Sequence, residues 1–295
     1  MSKIEEALRR AQQERAQDPA VAGGAVPDRQ DRSGRTEDER QPVSRGELVG
    51  LTAAEEIAHM REERPRGPAE LTQLRIIDPE TADPRVADAF RQLRTSLLQK
   101  STDSNFVLVV TSAGNEGGAS FVALNLAVAI AFDESKTALL VNANLRNPSL
   151  DRLVQTEGEA AGLTDYLGGS EKEVRHIIHP IGVPRVRLIP SGRQSRAAAE
   201  YFTMPQLRHL LRSLRQRYRE RYIIIDAPPV TQSADARILS ELADYTLLVV
   251  PYGKVTSTQV SEAALAIGEE KLVGCVLNNE LRIPLLSRSA QRRAR

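Results

Sequence analysis

The sequence predicts an α/β protein built on a doubly wound, mostly parallel sheet. Two observations support this prediction. Short apolar runs recur along the second half of the chain, and most are followed by a segment whose apolar residues have helical spacing. Runs without polar alternation are typical of strands buried on both faces, as in parallel sheets that helices cover on each side.

The elements are expected in alternating order between residues 74 and 279. Helices are predicted at 84–100, 122–131, 205–219, 234–242 and 257–267. Strands are predicted at 106–110, 186–190, 222–226, 245–250 and 272–277, and a further strand is predicted to begin directly after Lys136. The first helix is expected to turn its apolar side chains toward the core, namely Val86, Ala89, Phe90, Leu93 and Leu97.

Composition limits the classes of function. With 295 residues and 41% hydrophobic content, the chain can bury one core of about 200 residues and carry extensions. The net charge of +1 gives no reason to expect a nucleic-acid partner. Cys275 is the single cysteine and lies in an apolar run, so it is expected in the core and a disulfide scaffold is excluded. His176 and His179 lack acidic partners at metal spacing, so no metal centre is expected there.

The chain divides into four predicted parts. Residues 1–16 form an amphipathic docking helix with apolar residues on one face, although a marginal helix that frays is the alternative. Residues 17–70 form a disordered linker with a short helix at 53–64, residues 71–281 form the folded domain, and residues 282–295 form a basic tail. The first residues are too charged for a signal peptide, and no apolar run is long enough to span a membrane, so a cytoplasmic location is expected.

Residues 111–121, TSAGNEGGASF, lie between a predicted strand and a predicted helix. A phosphate-binding loop at such a junction offers backbone N–H groups and a lysine to phosphate, and a hydroxyl to Mg²⁺. The following helix places Gly118 at the second glycine of this pattern, Ala119 at the lysine and Ser120 at the hydroxyl. Ala113 replaces the first glycine. A glycine turn that serves only the chain connection is the alternative.

Two further segments complete a pattern. Residues 136–150 read KTALLVNANLRNPSL and residues 221–230 read RYIIIDAPPV. With the loop, they resemble the bacterial tyrosine kinase (BY-kinase) family of capsule and exopolysaccharide systems, including its exosortase-associated branch. The family motifs typically read GEGKSF or GEGKST, LLVDADLRRP and YVIIDTPPV. Here they read EGGASF, LLVNANLRNP and YIIIDAPPV, over a resemblance that spans about residues 74–279.

The resemblance implies the deviant P-loop NTPase fold, and it shows where this chain departs from the family. The lysine is Ala119, and the two carboxylates of the second motif are Asn142 and Asn144. Ser120 and Asp226 remain as residual Mg²⁺ ligands. ATP or ADP with Mg²⁺ is therefore the cofactor that the resemblance implies, with weakened binding, and its binding loop is expected to consist of Asn115, Glu116, Gly117, Gly118, Ala119, Ser120 and Phe121.

The resemblance also implies partners. A family helix with the pattern Glu-x-x-Arg-x-x-Arg joins subunits into rings, and Asp88, Arg91 and Arg94 stand at these positions, so weakened homo-oligomerisation is expected. Residues 162–167 match the family's GLTDYL helix. The family's C-terminal tyrosine cluster has no counterpart, because the six tyrosines end at Tyr252.

These observations favour a catalytically impaired relative that acts as a regulatory or scaffolding subunit in exopolysaccharide synthesis or export. Its partner would be an active kinase paralogue or a membrane chain-length adaptor, which would hold the chain at the inner membrane. The alternative is a weak autokinase in which Lys254 or a neighbour's arginine replaces the lysine. A partition-type ATPase is favoured least, because the GLTDYL helix and the double proline after Asp226 are typical of the polysaccharide branch.

Overall fold

The structure is a computed structural model, and it describes residues 60, 62, 64–79, 84–101, 105–154, 160–193 and 198–279. The predicted docking helix at 1–16, the linker residues 17–59 and the tail at 282–295 lie outside these residues, as does most of the helix predicted at 53–64. No helix within the described ranges is both long and apolar enough to cross a membrane.

Helices and strands alternate along the described residues. The α-helices are α1 (Pro68–Gln73), α2 (Pro84–Lys100), α3 (Ala119–Ala131), α4 (Leu163–Leu167), α5 (Ala198–Thr203), α6 (Pro205–Arg217), α7 (Ala234–Leu242) and α8 (Ser257–Ile267). Two 3-10 helices lie at Asp151–Leu153 and Val174–Ile177. The strands are β1 (Val107–Ser112), β2 (Thr137–Asn142), β3 (His179–Pro180), β4 (Val186–Ile189), β5 (Arg221–Asp226), β6 (Tyr245–Pro251) and β7 (Leu272–Asn278).

The seven strands form one sheet in the order β3-β4-β2-β5-β1-β6-β7. All neighbouring pairs are parallel except the short β3, which runs antiparallel to β4. The three strands that precede the sequence motifs, β2, β5 and β1, are therefore adjacent at the centre of the sheet. The predicted α/β fold with a mostly parallel sheet is confirmed.

Helices cover both faces of the sheet, and this explains the unbroken apolar runs. In β1, Leu108 and Val110 face the layer that contains α3, while Val107 and Val109 face the opposite layer. Helix α3 packs against β1, β2 and β5, and α2 covers α3 from outside. Because successive side chains of a strand point to opposite faces, a central strand between two helical layers must be apolar throughout.

Two sequence predictions about the core are wrong. Cys275 is exposed on β7, because β7 is the edge strand and α8 packs on its neighbour β6. Sequence alone does not separate an apolar edge strand from an apolar central strand. In α2 the bounds agree with the prediction, but Val86 and Ala89 are exposed and Ala87 is buried in their place.

Candidate functional site

The carboxyl ends of β1, β2 and β5 bring the three motifs to one edge of the sheet. Asn142 of β2 pairs in register with Asp226 of β5, which in turn pairs with Val110 of β1. A cavity of about 960 Å³ lies at this edge. This is where parallel α/β proteins bind ligands, because the loops that follow adjacent strands diverge there.

The loop between β1 and α3 has the shape that its glycines allow. Gly118 has a φ of 86° and immediately precedes α3. A Cβ atom on Gly117 would lie 2.6 Å from the Cβ of Ser112, so no side chain fits there. Asn278 at the end of β7 donates a hydrogen bond of 2.9 Å to the Gly117 carbonyl. The N–H groups at the start of α3 remain available to an anion.

Ala119 begins α3, at the position where the phosphate-loop pattern has a lysine. Its side chain is 8% exposed and belongs to the apolar layer around α3 while it also lines the cavity. A methyl group provides no charge to a phosphate. The predicted loop residues from Asn115 to Phe121 all line the cavity, as does Asn144.

Ser120 and Asp226 lie together. The Ser120 hydroxyl donates a hydrogen bond of 2.6 Å to Oδ2 of Asp226. The Asp226 side chain is fully buried, and none of the described residues donates to its Oδ1. The pKa of the Asp226 carboxyl is raised to about 7. Burial is the main cause, the Ser120 hydrogen bond offsets part of the rise, and the Asp151 carboxylate adds to it.

Asn142 faces a carboxylate that sequence reasoning did not single out. Its Nδ2 donates a hydrogen bond of 2.7 Å to Oδ1 of Asp151, and its Oδ1 accepts one of 3.3 Å from the backbone N–H of Asn144. Asp151 also accepts a bond of 2.9 Å from the Ser191 N–H and a short one from the Ser191 hydroxyl. Residue 142 must therefore both donate and accept, which an amide does and a carboxylate does not.

The remaining groups fit Mg²⁺ only as a minimal set. Ser120 lines the cavity and supplies a hydroxyl. Asp226 is fully buried behind Ser120 and does not line the cavity, and its Oδ1 has no partner among the described residues. A hydroxyl and a carboxylate are groups that hold Mg²⁺ beside a nucleotide in P-loop proteins. The side-chain amide of Asn142 donates its hydrogen bond to Asp151. No cluster of three or more metal-ligating side chains occurs within the described ranges.

The structure adds three arginines to the site, Arg75, Arg146 and Arg152, all of which line the cavity. Arg146 follows β2, and Arg152 lies in the first 3-10 helix. Lys254, the replacement cation considered from sequence, does not line the cavity, and its Nζ lies 3.6 Å from the exposed carboxylate of Glu116. Arg75 is distant from every motif, so sequence spacing offered no signal for it.

The predicted oligomerisation residues lie on α2, away from the cavity. Arg91 donates a hydrogen bond of 2.7 Å to Asp88, and its guanidinium lies 5.3 Å from the centre of the Phe132 ring. Arg94 donates a bond of 2.9 Å to the carbonyl of Ala129. Both arginines thus make contacts within the chain.

Comparison with known proteins agrees with this geometry. No family model matches the chain. It is 28% identical over 211 residues to the tyrosine-protein kinase CpsD of Streptococcus agalactiae, which covers 70% of this chain and 89% of the relative. It is 30% identical over 197 residues to the tyrosine-protein kinase YwqD of Bacillus subtilis, with coverage of 66% and 81%.

A solved structure shows the same likeness. The kinase domain of the Escherichia coli tyrosine kinase ETK superposes with a TM-score of 0.62 at 26% identity, and the match covers 75% of this chain and 84% of that domain. The fold and the site define a protein of the P-loop NTPase type. The sequence relatives identify the chain more closely: it belongs to the bacterial tyrosine kinase family.

Proposed function

We propose that this chain is a catalytically impaired member of the bacterial tyrosine kinase family that serves as a regulatory or scaffolding subunit in exopolysaccharide synthesis or export. The observation that carries the proposal is the Asn142–Asp151 hydrogen bond. It supports the proposal, because an amide can donate to Asp151 at the position where the family has a carboxylate. In this protein the second motif supports the fold instead of a metal or a nucleophile.

The chemistry of phosphoryl transfer supports the proposal. The protein's contribution to this reaction is positioning and electrostatic stabilisation of the transferred group. Removing one such group commonly slows an enzyme by about 10²–10³-fold. Ala119, Asn142 and Asn144 remove three, and even with strong non-additivity the remaining rate is low.

The retained groups support a binding role. The glycine loop, Ser120 and Asp226 keep the shape of a nucleotide site, and ATP or ADP with residual Mg²⁺ on Ser120 and Asp226 is the ligand that the family implies. When bound, Mg²⁺ would neutralise phosphate charge. The proposed partner is an active kinase paralogue or a membrane chain-length adaptor, contacted through α2 or the segment at 1–16, and such a partner would place the chain at the inner membrane.

A weak autokinase is the second candidate, and one observation favours it. Three arginines line the cavity, so cations are available near the site of the missing lysine. Arginine binds phosphate well, but its guanidinium is planar and bulky and does not reproduce a lysine at the start of α3.

The experiment measures phosphotyrosine formation by the kinase domain of an active family member from the same organism, with increasing amounts of this chain. We expect this chain alone to form no phosphotyrosine, and its addition to change the partner's rate in a saturable way. An Arg91→Glu variant tests whether α2 makes the contact. Phosphotyrosine formed by this chain alone and lost in Asp226→Asn would contradict the proposal, as would a partner rate that does not respond.

A further inference from the structure

Two of the arginines that line the cavity have side chains with no ion pair among the described residues. Arg75 and Arg152 are both exposed, whereas Arg146 lies 3.8 Å from the buried carboxylate of Asp235. Neither Arg75 nor Arg152 lies in the phosphate loop or in the strand-end motifs. We propose that Arg75 and Arg152 bind the phosphates of a nucleoside di- or triphosphate in this cavity, and that they do so without a divalent cation.

The backbone of Arg75 is held in place by the buried amide side chain of Asn125 in α3. Its backbone has a φ of 57°, a left-handed conformation that costs a residue other than glycine about 1 kcal/mol or more. Asn125 of α3 is fully buried, and its Nδ2 donates 3.0 Å bonds to the carbonyls of Arg75 and Phe121. The N–H of Ile77 donates a bond of 2.7 Å to Asn125 Oδ1. Asn125 thus fixes the segment that brings Arg75 to the cavity.

Arg152 is held by the contacts on either side of it. Asp151 precedes it, and its carboxylate is fixed by Asn142 and Ser191. Leu153 follows it and is 2% exposed within the apolar layer around α3. With both neighbours anchored, the backbone of Arg152 is fixed at the cavity wall, and its exposed side chain lines the cavity. The backbones of both arginines are therefore fixed beside the cavity, which lowers the part of the entropic cost of binding that comes from ordering the chain.

The charges of the site favour an anion without a metal. The cavity lining carries Arg75, Arg146 and Arg152 against one carboxylate, Glu116, which is 84% exposed and lies beside Lys254. In the family motif, carboxylates at positions 142 and 144 would repel phosphate unless a cation screened them. Here both are amides, so the repulsion from these two positions is absent, and the neighbouring carboxylates Asp151 and Asp226 do not line the cavity. Guanidinium groups can then bind phosphate oxygens directly.

The cavity fits a ligand of nucleotide size. Its volume of about 960 Å³ lies at the upper end of the range for small-molecule sites, roughly 300–1,000 Å³. The lining combines polar residues with apolar ones, among them Leu74, Phe121 and Leu124. Inorganic pyrophosphate shares the phosphate chemistry, so ADP and pyrophosphate must be compared. This inference rests on the proposed function, because both take the site to bind its ligand without turning it over.

The test is calorimetric titration of the full-length protein with ADP, pyrophosphate and AMP at about pH 8, in EDTA and in MgCl₂ at matched ionic strength. We expect ADP to bind in EDTA with a Kd within about threefold of its Kd in Mg²⁺, a difference below 1 kcal/mol. Arg75→Gln and Arg152→Gln should each raise the Kd about tenfold, as expected for loss of a charged hydrogen bond. Arg212→Gln is the matched control, because Arg212 is exposed on α6 and does not line the cavity.

Four results would overturn the inference: no binding of ADP or pyrophosphate at millimolar concentration, binding only with Mg²⁺, no effect of either arginine variant, or an equal effect of Arg212→Gln. If pyrophosphate binds as tightly as ADP, the result would support phosphate binding by Arg75 and Arg152. It would also show that the affinity comes from the phosphates alone. Thermal unfolding shows whether each variant is folded. ATP turnover by the wild-type chain would contradict the proposed function, whereas failure of metal-free binding would contradict this inference alone.

Discussion

At the scale of single residues, Asn142 takes part in a hydrogen-bond network with Asp151 at the end of β2. The amide donates to Asp151 and accepts from the Asn144 N–H, and Asp151 joins the end of β2 to Ser191 after β4. The amides at positions 142 and 144 can be read from the sequence. The role of Asp151 cannot, because its contact with Ser191 crosses 40 residues and no motif contains it.

Asn142→Asp should destabilise the protein. In this variant two carboxylates would face each other in place of the 2.7 Å hydrogen bond between Asn142 and Asp151. We expect the free energy of unfolding to fall by about 2–4 kcal/mol at about pH 8. Adding Asp151→Asn reverses the direction of the hydrogen bond and should restore most of the loss. Urea denaturation measures both variants, and Asn144→Asp, which changes a residue at the cavity wall, is the control with a small expected effect. Equal losses in the single and double variants would show that the two residues are not coupled.

Asp226 predicts the pH dependence of stability. Its folded pKa of about 7 lies above the unfolded value of about 4, so between these values the folded state holds a proton that the unfolded state releases. The free energy of unfolding should therefore fall as the pH rises through this range, by about 1.4 kcal/mol per unit at most. The Asp133 carboxyl, whose pKa the Lys136 and Ser135 hydrogen bonds lower to about 2, titrates below this window.

Denaturation of wild type and Asp226→Asn across this window measures the effect. The slope of stability against pH should be smaller in the variant, even if the buried amide changes the absolute stability. Identical slopes would mean that Asp226 is ionised in the folded protein throughout the range.

At the scale of elements, sequence patterns predicted the helices and strands of the packed core well. Helices α2, α7 and α8 have the expected bounds, and the central strands differ from the predicted ones by one or two residues. The edge strand β7 was found, but the burial of Cys275 was not predicted correctly. The same limit applies to the site: the contact between Asn125 and Arg75 crosses 50 residues, and periodicity carries no information about it.

Helix α3 joins the phosphate loop to the segment before α2 through Asn125. Asn125→Leu would leave the Ile77 N–H and the Arg75 carbonyl without their partner in the interior. We expect a loss of about 2–4 kcal/mol in the free energy of unfolding. Asn147→Leu, at an exposed position near the same cavity, should cost much less. A similar small cost in both variants would show that Asn125 does not anchor this segment.

At the scale of the whole molecule, the contacts of α2 bear on assembly. Arg91 and Arg94 are used within the chain, by Asp88 and by the Ala129 carbonyl. An interface through these side chains would have to replace those contacts, which lowers the net gain of association. Strong ring formation is therefore not expected from this helix.

Sedimentation velocity should show weak, concentration-dependent self-association that Arg91→Glu reduces. The ion pair between Arg91 and Asp88 is partly exposed. Reversing the charge of Arg91 therefore leaves the fold intact while it alters the surface of α2. Arg212→Glu, on α6, is the control for net charge. Equal association in both variants would remove α2 from the interface.

The central claim is that the rebuilt site binds without catalysing transfer, and the rate of ADP release from Mg·ATP tests it most directly. Wild type should show no release above that of Asp226→Asn. A variant with Ala119→Lys, Asn142→Asp, Asn144→Asp and Asp151→Asn restores the motif groups without the carboxylate clash and should release ADP measurably. ADP release by the wild type that Asp226→Asn abolishes would contradict the account.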